Sequence, residues 1–485
     1  MMLSPKPELE AKHKWFALFL MVMCPFVNAL NGSIVSNALP TMSEDLHVST
    51  GSINWVVSAF LIVTSATILM FGRIGDLYGN VRVLQTGMIV FTVGTIMCGL
   101  SRSFGFLIVS RVVQALGAGA VYANNHGIIT RLFPKSERGK ALGINAAFVA
   151  LGNLAGPSLG GIILSFAAWN MIFYFLAPIA GTLAVLQHFF LPRDDRKPTE
   201  KLDIIGSALF ITAISCMFLA LQELQSRGIA DPLIIGCLIV CTVSFILFFI
   251  RTSKYSYGVM DLSIFKNSVF DINLYCAFTS YISIQAYTVI MPFYFQEVLK
   301  MTSVQSGAYM TIYPIVLACI APLSGSVSDK IGADKITIAG MITLMTGMFL
   351  VSSLRADSPH YLIVAYLIIM GIGNGMFQSP NNSLVMSSVP SNKVGIAGSL
   401  NALVRNIGQN TGVVVATLLL YSGISTKLGY SVNDYDGAHP EAFEYGMRIT
   451  FIALAVIVLT GALISIYRRY VIKRNERIVN YEQRG

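Results

Sequence analysis

Gly72-Arg73-Ile74-Gly75-Asp76-Leu77-Tyr78-Gly79-Asn80-Val81-Arg82 joins two apolar runs. Gly325-Ser326-Val327-Ser328-Asp329-Lys330-Ile331-Gly332-Ala333-Asp334-Lys335 joins two others 253 residues later. Each stretch keeps a Gly, an Asp four residues on, a Gly three further and a base three further still. The glycines permit a tight turn between two helices, and the carboxylate can cap a nearby helix N-terminus or pair with a base across a bundle. Either loop alone reads as an ordinary short polar connection. Chance explains one such loop far more easily than two.

Outward from these loops the chain is a succession of apolar runs near 20 residues, each long enough to cross a hydrocarbon core of roughly 30 Å as a helix. They fall at about 15–38, 53–72, 83–100, 104–129, 141–166, 169–190, 204–224, 231–250, 269–296, 307–326, 336–354, 361–388, 396–421 and 446–467. Only 12% of the 485 residues are charged and 54% are hydrophobic, too little charge to cover a water-exposed surface. The fold class is therefore all-α and polytopic, with about 14 transmembrane helices and no cleaved signal expected.

An even count puts both termini on one side. About 25 of the 33 basic residues fall on that side, among them Arg73, Arg82, Arg131, Lys135, Arg193, Arg196, Lys197, Lys201, Arg251, Lys335 and the tail beyond 467. Both termini are expected to be cytoplasmic, in a plasma or inner membrane. This bias accounts for the formal net charge of +9 without a nucleic-acid partner. Trp15, Trp55 and Trp169 sit at helix ends, where an indole suits the interface. The longest connections are 191–203, a charged linker, and 422–445, an acidic loop expected outside the cell with Asp434 and Asp436. The seven cysteines lie inside apolar runs without metal-ligand spacing and read as packing residues. No cofactor or metal is expected, and the absence of a phosphate loop or nucleophile pair argues against an enzyme.

The two loops resemble the signature loop of the major facilitator superfamily, present once in each half. Gly152-Asn153-Leu154-Ala155-Gly156-Pro157-Ser158-Leu159-Gly160-Gly161 resembles the antiporter motif of its drug exporters. Arg111-Val112-Val113-Gln114-Ala115-Leu116-Gly117-Ala118-Gly119 resembles their arginine-bearing motif. Leu30-Asn31-Gly32-Ser33-Ile34-Val35-Ser36-Asn37-Ala38-Leu39-Pro40 resembles the first-helix motif of the fourteen-helix drug:proton antiporter family. The resemblance implies the major facilitator fold, with two six-helix bundles that rock about a midplane site. The bundles would be residues 1–190 and 266–467. Residues 191–265 would form a linker with two inserted helices, and 468–485 a basic cytoplasmic tail.

On this reading Gly72, Asp76, Gly79, Arg82, Gly325, Asp329, Gly332 and Lys335 belong to conformational-switch loops. Gly152, Gly156, Gly160 and Gly161 let a neighbouring helix approach closely, and Pro157 bends the helix. Arg111 and Arg405 are the only bases well inside spans, where charge is costly. Each reads either as a proton-relay, gating or anion-attracting group, or as a structural arginine bonded to carbonyls or to an amide such as Gln114. Asn124, Gln378, Asn381 and Gln409 are expected to line a wet cavity or to bond across helices. His126 is a possible titrating group or a hydrogen-bonded interfacial histidine. Tyr287 and Tyr313 head a pool of aromatic candidates, because their hydroxyls require partners.

Two departures qualify the resemblance. Asn31 stands where the family usually has Asp, and an amide cannot ionise. Leu77, Asn80 and Val81 replace basic residues of the first loop, leaving Arg82. The function expected is secondary active transport of small amphipathic organic compounds, as proton-coupled drug or metabolite efflux. The alternative is a proton-linked carrier, including uptake, of organic anions such as bile-acid-like carboxylates. Substrate, protons and the lipid bilayer are the partners expected.

Overall fold

A computed structural model describes the backbone of residues 11–482 except 49, 135, 193–201, 229, 256–259, 261, 391–392, 431 and 433–438. It does not describe the side chains of 11–13, 37, 40, 50–51, 157–158, 225–227, 303–304 and 471–482. Pro157, Lys135, Asp434, Asp436, nearly all of the 191–203 linker and most of the basic tail thus lie outside the described residues or side chains.

The described chain is almost entirely helical. The first helices are α1 (Ala11–Asp45), a single turn α2 (Thr50–Ile53), α3 (Trp55–Tyr78), α4 (Asn80–Gly99), α5 (Phe104–Leu132), α6 (Arg138–Phe166) and α7 (Asn170–Phe190). Next come α8 (Ile204–Arg227) and α9 (Pro232–Lys254). A 3-10 turn, Leu262–Lys266, precedes α10 (Ser268–Phe293), which runs into a π-helical turn at Tyr294–Val298. Then follow α11 (Ser303–Ile331), α12 (Ala333–Val351), α13 (His360–Ser387), α14 (Val394–Leu428) and α15 (Pro440–Glu482). Fourteen of these, all but α2, contain a stretch long and apolar enough to cross a membrane. Only helices satisfy every backbone group within one segment in hydrocarbon, so these runs fold as they do.

The chain divides into two compact units. One comprises residues 1–262 with 389–403, the other 263–388 with 404–485. In the first, α1 packs on α6 and α7, α4 lies against α5 and α7, and α3 packs on α5. The α8–α9 pair attaches through α3. In the second, α12 packs on α13 and α15, α11 on α13, and α10 on α15 and α13.

The ends of the elements follow local chemistry. Ser103 caps α5 by accepting from Phe106 N, and Asp231 caps α9, whose first residue is Pro232. Asp203 accepts from Gly206 N at 3.0 Å and from Arg251 Nε at 2.8 Å, tying the two ends of the α8–α9 pair together. Burial pushes the Asp203 carboxyl up. The Arg251 hydrogen bond and the Gly206 N–H outweigh it and hold the group below the ordinary carboxylate value.

Three expectations are corrected. The stretch 422–445 is helical at both ends, because α14 runs to Leu428 and α15 starts at Pro440. Trp169 is not an interfacial ring: it is buried, donating from Nε1 to Asp45 Oδ2 at 2.8 Å and meeting Phe173 edge-on. Gly161 is exposed with nothing near the place of a Cβ, so it mediates no close helix approach.

Candidate functional site

In the first unit the sequence-predicted residues fall into two separate groups. One surrounds Arg111, which is fully buried in the second turn of α5. Its Nε donates to Val56 O at 2.8 Å, its Nη1 to Gln114 Oε1 at 2.5 Å and to Asn31 Oδ1 at 3.4 Å, and its guanidinium lies 4.5 Å from the Phe60 ring centroid. Gln114 Nε2 donates onward to Thr95 Oγ1 at 2.8 Å and to Asn31 Oδ1 at 3.3 Å. Gln114 is one helical turn along from Arg111, so both side chains share a face. Asn31 Oδ1 is a shared acceptor, and every partner of the guanidinium among the described residues is neutral. Arg111 Nη2 and Asn31 Nδ2 are buried donors without a partner. Burying a charge in such surroundings costs a few kcal/mol, so these uncommitted N–H groups favour an oxygen acceptor.

The other group surrounds Asp76. Its Oδ2 accepts from Ile396 N, in the first turn of α14, at 3.1 Å, and its Oδ1 stands 3.7 Å from Arg131 Nη2. The loop carboxylate thus caps a helix N-terminus and pairs with a base, the two roles its position suggested. Arg131 Nη1 donates to Asn80 Oδ1, Asn80 Nδ2 donates to Asn124 Oδ1 at 2.8 Å, and Asn124 Nδ2 donates to Ala120 O and Phe71 O. Asn124 therefore belongs to the loop network and not to the Arg111 cluster. The base of this network is Arg131, from the last turn of α5. Arg82, the base expected there, is exposed. Sequence reading missed Arg131 because its partner lies on another helix. A base in the last turn of a long span, facing an unmatched loop Asp, was the available signal.

Glycines set the spacing of both groups. A Cβ on Gly72 would meet Ser399 Oγ at 1.7 Å, and one on Gly75 would meet Asn124 Oδ1 at 1.9 Å. Gly152 and Gly156 lie against Phe26 O and Ser33 of α1, as the small-residue spacing of the antiporter motif suggested. Gly160 is buried in the same helix. His126 is buried in α5, where a Cβ on Gly398 would lie 3.7 Å from its Cβ.

In the second unit, Tyr287 and Tyr313 are buried with ring centroids 5.1 Å apart. Asn374 Nδ2 donates to Tyr313 Oη at 2.6 Å and Ser280 Oγ to Asn374 Oδ1 at 3.3 Å. The Tyr287 hydroxyl is buried without a hydrogen-bond partner among the described residues. Gln378 Nε2 donates to Tyr281 Oη at 2.9 Å, with the half-buried Arg405 acting electrostatically on the same Tyr281. Asn381 Nδ2 donates to Asn273 O at 3.2 Å, so it bonds across helices. Gln409 is half-buried beside Gly408, which lies against Phe278 O of α10. In the second loop, Gly325 is buried, Asp329 half-buried and Lys335 exposed, while Asp334 pairs with Arg468. Gly79 and Gly332 each form a one-residue junction between helices, at φ 108° and φ 98°. No group of three or more metal-ligating side chains occurs among the described residues.

The sequence model of the Major Facilitator Superfamily matches residues 21–413 and 273–481. The chain is 34% identical to the riboflavin transporter RibZ of Clostridioides difficile, over 94% of this chain and 98% of that protein. It is 27% identical to multidrug resistance protein 3 of Bacillus subtilis, over 90% and 88% respectively. Among solved structures, the proton:xylose symporter XylE superposes with a TM-score of 0.66 at 13% identity, covering 93% of this chain and 95% of that one.

Proposed function

The chain belongs to the Major Facilitator Superfamily, and on that footing we propose that it is a secondary active transporter of small amphipathic organic compounds, working by alternating access with protons as the coupling ion. The observation that carries this reading is the Arg111 cluster. A buried guanidinium held only by neutral groups, with spare N–H donors on Arg111 and Asn31, favours solutes that present carbonyl or carboxylate oxygens. Lipophilic cations are disfavoured by the same charge. The paired Tyr287 and Tyr313 rings, tilted at 39° to each other, supply a polarisable apolar surface in the second unit. Neutral heteroaromatic solutes rich in carbonyl oxygens fit this chemistry, and the relative named for riboflavin transport makes riboflavin the first solute to test. Organic anions are the second reading, favoured by the charge of Arg111.

Asn31 cannot carry the coupling proton, so coupling falls to His126, Glu223, Glu297 or the solute itself. Asp76 serves as a switch: its hydrogen bond to Ile396 N holds the first turn of α14, and α14 continues into the second unit. Two six-helix bundles at 1–190 and 266–467 with an inserted helix pair, and cytoplasmic termini on the basic side, complete the proposal.

Proteoliposomes with an imposed pH gradient test it, comparing riboflavin, an amphipathic carboxylate and a lipophilic cation. Gradient-dependent movement of the first two is expected, falling by at least about tenfold in Arg111→Ala. Cation exchange that survives Arg111→Ala and Arg405→Ala together would overturn the assignment. Asn31→Asp places a carboxylate 3.4 Å from the guanidinium. It is expected to raise cation transport several-fold over the wild type while lowering riboflavin transport, and no change in either would remove Asn31 from the site.

A further inference from the structure

Arg82 is the base that the first signature loop retains, yet the network around Asp76 is built on Arg131. Among the described residues the Arg82 guanidinium makes no hydrogen bond or ion pair, and it is exposed three residues into α4. Beside it a groove of about 410 Å³ runs between α3, α4 and α5, lined by Phe71, Ile74, Tyr78, Arg82, Val90 and Ala120 among others. Its wall on α4 extends from Arg82 to Val90, eight residues or about 12 Å of helix. Gly87 lies along that wall against Ala120, where any Cβ would collide at 2.6 Å, so the groove is cut into the helix pair itself. Beside it, Ile89 and Val93 of α4 are exposed apolar side chains, as on a face turned to hydrocarbon.

We propose that this groove holds one bilayer phospholipid, its phosphate at Arg82 and an acyl chain laid along α4 over Gly87. The charge distribution selects this occupant. A free guanidinium at the helix end matches a phosphate as a bidentate acceptor, and it stands at the depth of headgroups because α4 begins at Asn80. Tyr78, half-exposed at the same mouth, is a residue type that belongs at that level. Below them the lining is apolar, which suits a hydrocarbon chain and no polar solute. The second loop differs: Lys335 is exposed, and its neighbour Asp334 is committed to Arg468. The proposal is independent of which compound the protein transports.

Native mass spectrometry of the full-length protein, extracted from phosphatidylethanolamine–phosphatidylglycerol vesicles and washed in mild detergent, tests it. The wild type is expected to retain one phospholipid per chain. Arg82→Gln is expected to weaken retention about fivefold or more. Val90→Trp, which fills the groove, is expected to abolish it, and Lys335→Gln is expected to leave it unchanged. If Val90→Trp fails to elute as a folded species, Thr86→Phe fills the same groove from an exposed position. Retention by Arg82→Gln and by the filled variant equal to that of the wild type would overturn the site. Displacement of the lipid by riboflavin in proportion to its concentration would also overturn it, making the groove an entry for solute.

Discussion

Cys24 and Cys276 hold the same place in the two units, and around them the molecule repeats itself in detail. Cys24 accepts from Gln187 of α7, and Cys276 shares a hydrogen bond with Ser465 of α15. Asn125 donates to Met21 O at 2.7 Å as Asn381 donates to Asn273 O at 3.2 Å. At the α4–α5 contact a Cβ on Gly117 would stand 2.3 Å from Phe91 N. At the α12–α13 contact a Cβ on Gly373 would stand 2.3 Å from Leu344 N. Apart from Gln187 and Ser465, these positions recur at intervals of 252–256 residues, so the two units share a scaffold of close helix contacts and a few amide clamps. The polar interiors then diverge. Where the first unit buries Arg111, Gln114, Thr95 and Asn31, the same intervals in the second reach Leu367, Met370, Met348 and Ser283, all buried. Where the second unit has Tyr313, Tyr287 and Asn374, the first has Phe60, Val35 and Ala118. A scaffold that tolerates leucine and methionine at the Arg111 and Gln114 positions does not need the charge in order to fold. The comparison therefore supports the proposal that Arg111 serves function and not folding.

The largest effect tests that assignment directly. Arg111→Leu with Gln114→Met gives the first unit the residues of the second. Arginine in a spanning helix is costly, by roughly 2.5–3.5 kcal/mol at the helix centre and less towards its ends, so the double variant is expected to fold with equal or higher thermal stability. Transport of riboflavin or of an amphipathic carboxylate is expected to fall to background. Thermal denaturation in detergent and proteoliposome flux, measured on one preparation, separate the two readouts. A variant that loses stability by several kcal/mol would make the arginine structural and break the comparison.

Asp76 and Asp329 offer a sharper contrast, since the loops share spacing but not their surroundings. Asp76 accepts from Ile396 N and lies near Arg131, whereas in the second loop Asp334 pairs with Arg468. A charge at a helix N-terminus contributes about 0.3–2 kcal/mol, more when partly buried. Asp76→Ala is expected to lower transport several-fold with insertion intact, and Asp329→Ala to lower it less. Asp76→Asn, which keeps an acceptor but loses the charge, is expected to fall between wild type and Asp76→Ala. Equal losses at the two loops would mean that spacing alone, and not the Arg131 network, sets the role.

What was legible in the sequence follows from this contrast. The fourteen spans, the paired loops and the α1–α6 contact through Gly152 and Gly156 are local patterns, governed by hydropathy and by spacing along one helix. The polar connections were not legible, because each joins residues far apart in the chain through side chains of unlike type. Gln187 and Ser465 hold equivalent cysteines, and Arg131 serves a carboxylate 55 residues before it. Arg111 with Gln114 and Asn31 was partly legible. One turn of helix joins the first two, while the placement of Asn31 required the packing of α1 against α5.

The smallest effect probes what the units share. Gly79 at φ 108°, ψ 124° and Gly332 at φ 98°, ψ 130° each turn one helix directly into the next, a conformation that L side chains rarely adopt. A side chain there costs on the order of 1–3 kcal/mol through backbone strain. At Gly332 nothing stands within 4 Å of a Cβ, so strain is the whole penalty of Gly332→Ala. The junctions have nearly the same geometry, so Gly79→Ala is expected to lower thermal stability by a similar increment, and the double variant by about the sum, as for independent sites. Flux per folded protein is the discriminating measurement. If Gly79→Ala also slows transport while Gly332→Ala does not, the shared turn carries an unshared duty, and the difference lies in the network that joins Asp76 to Arg131 and Ile396 beside the first turn.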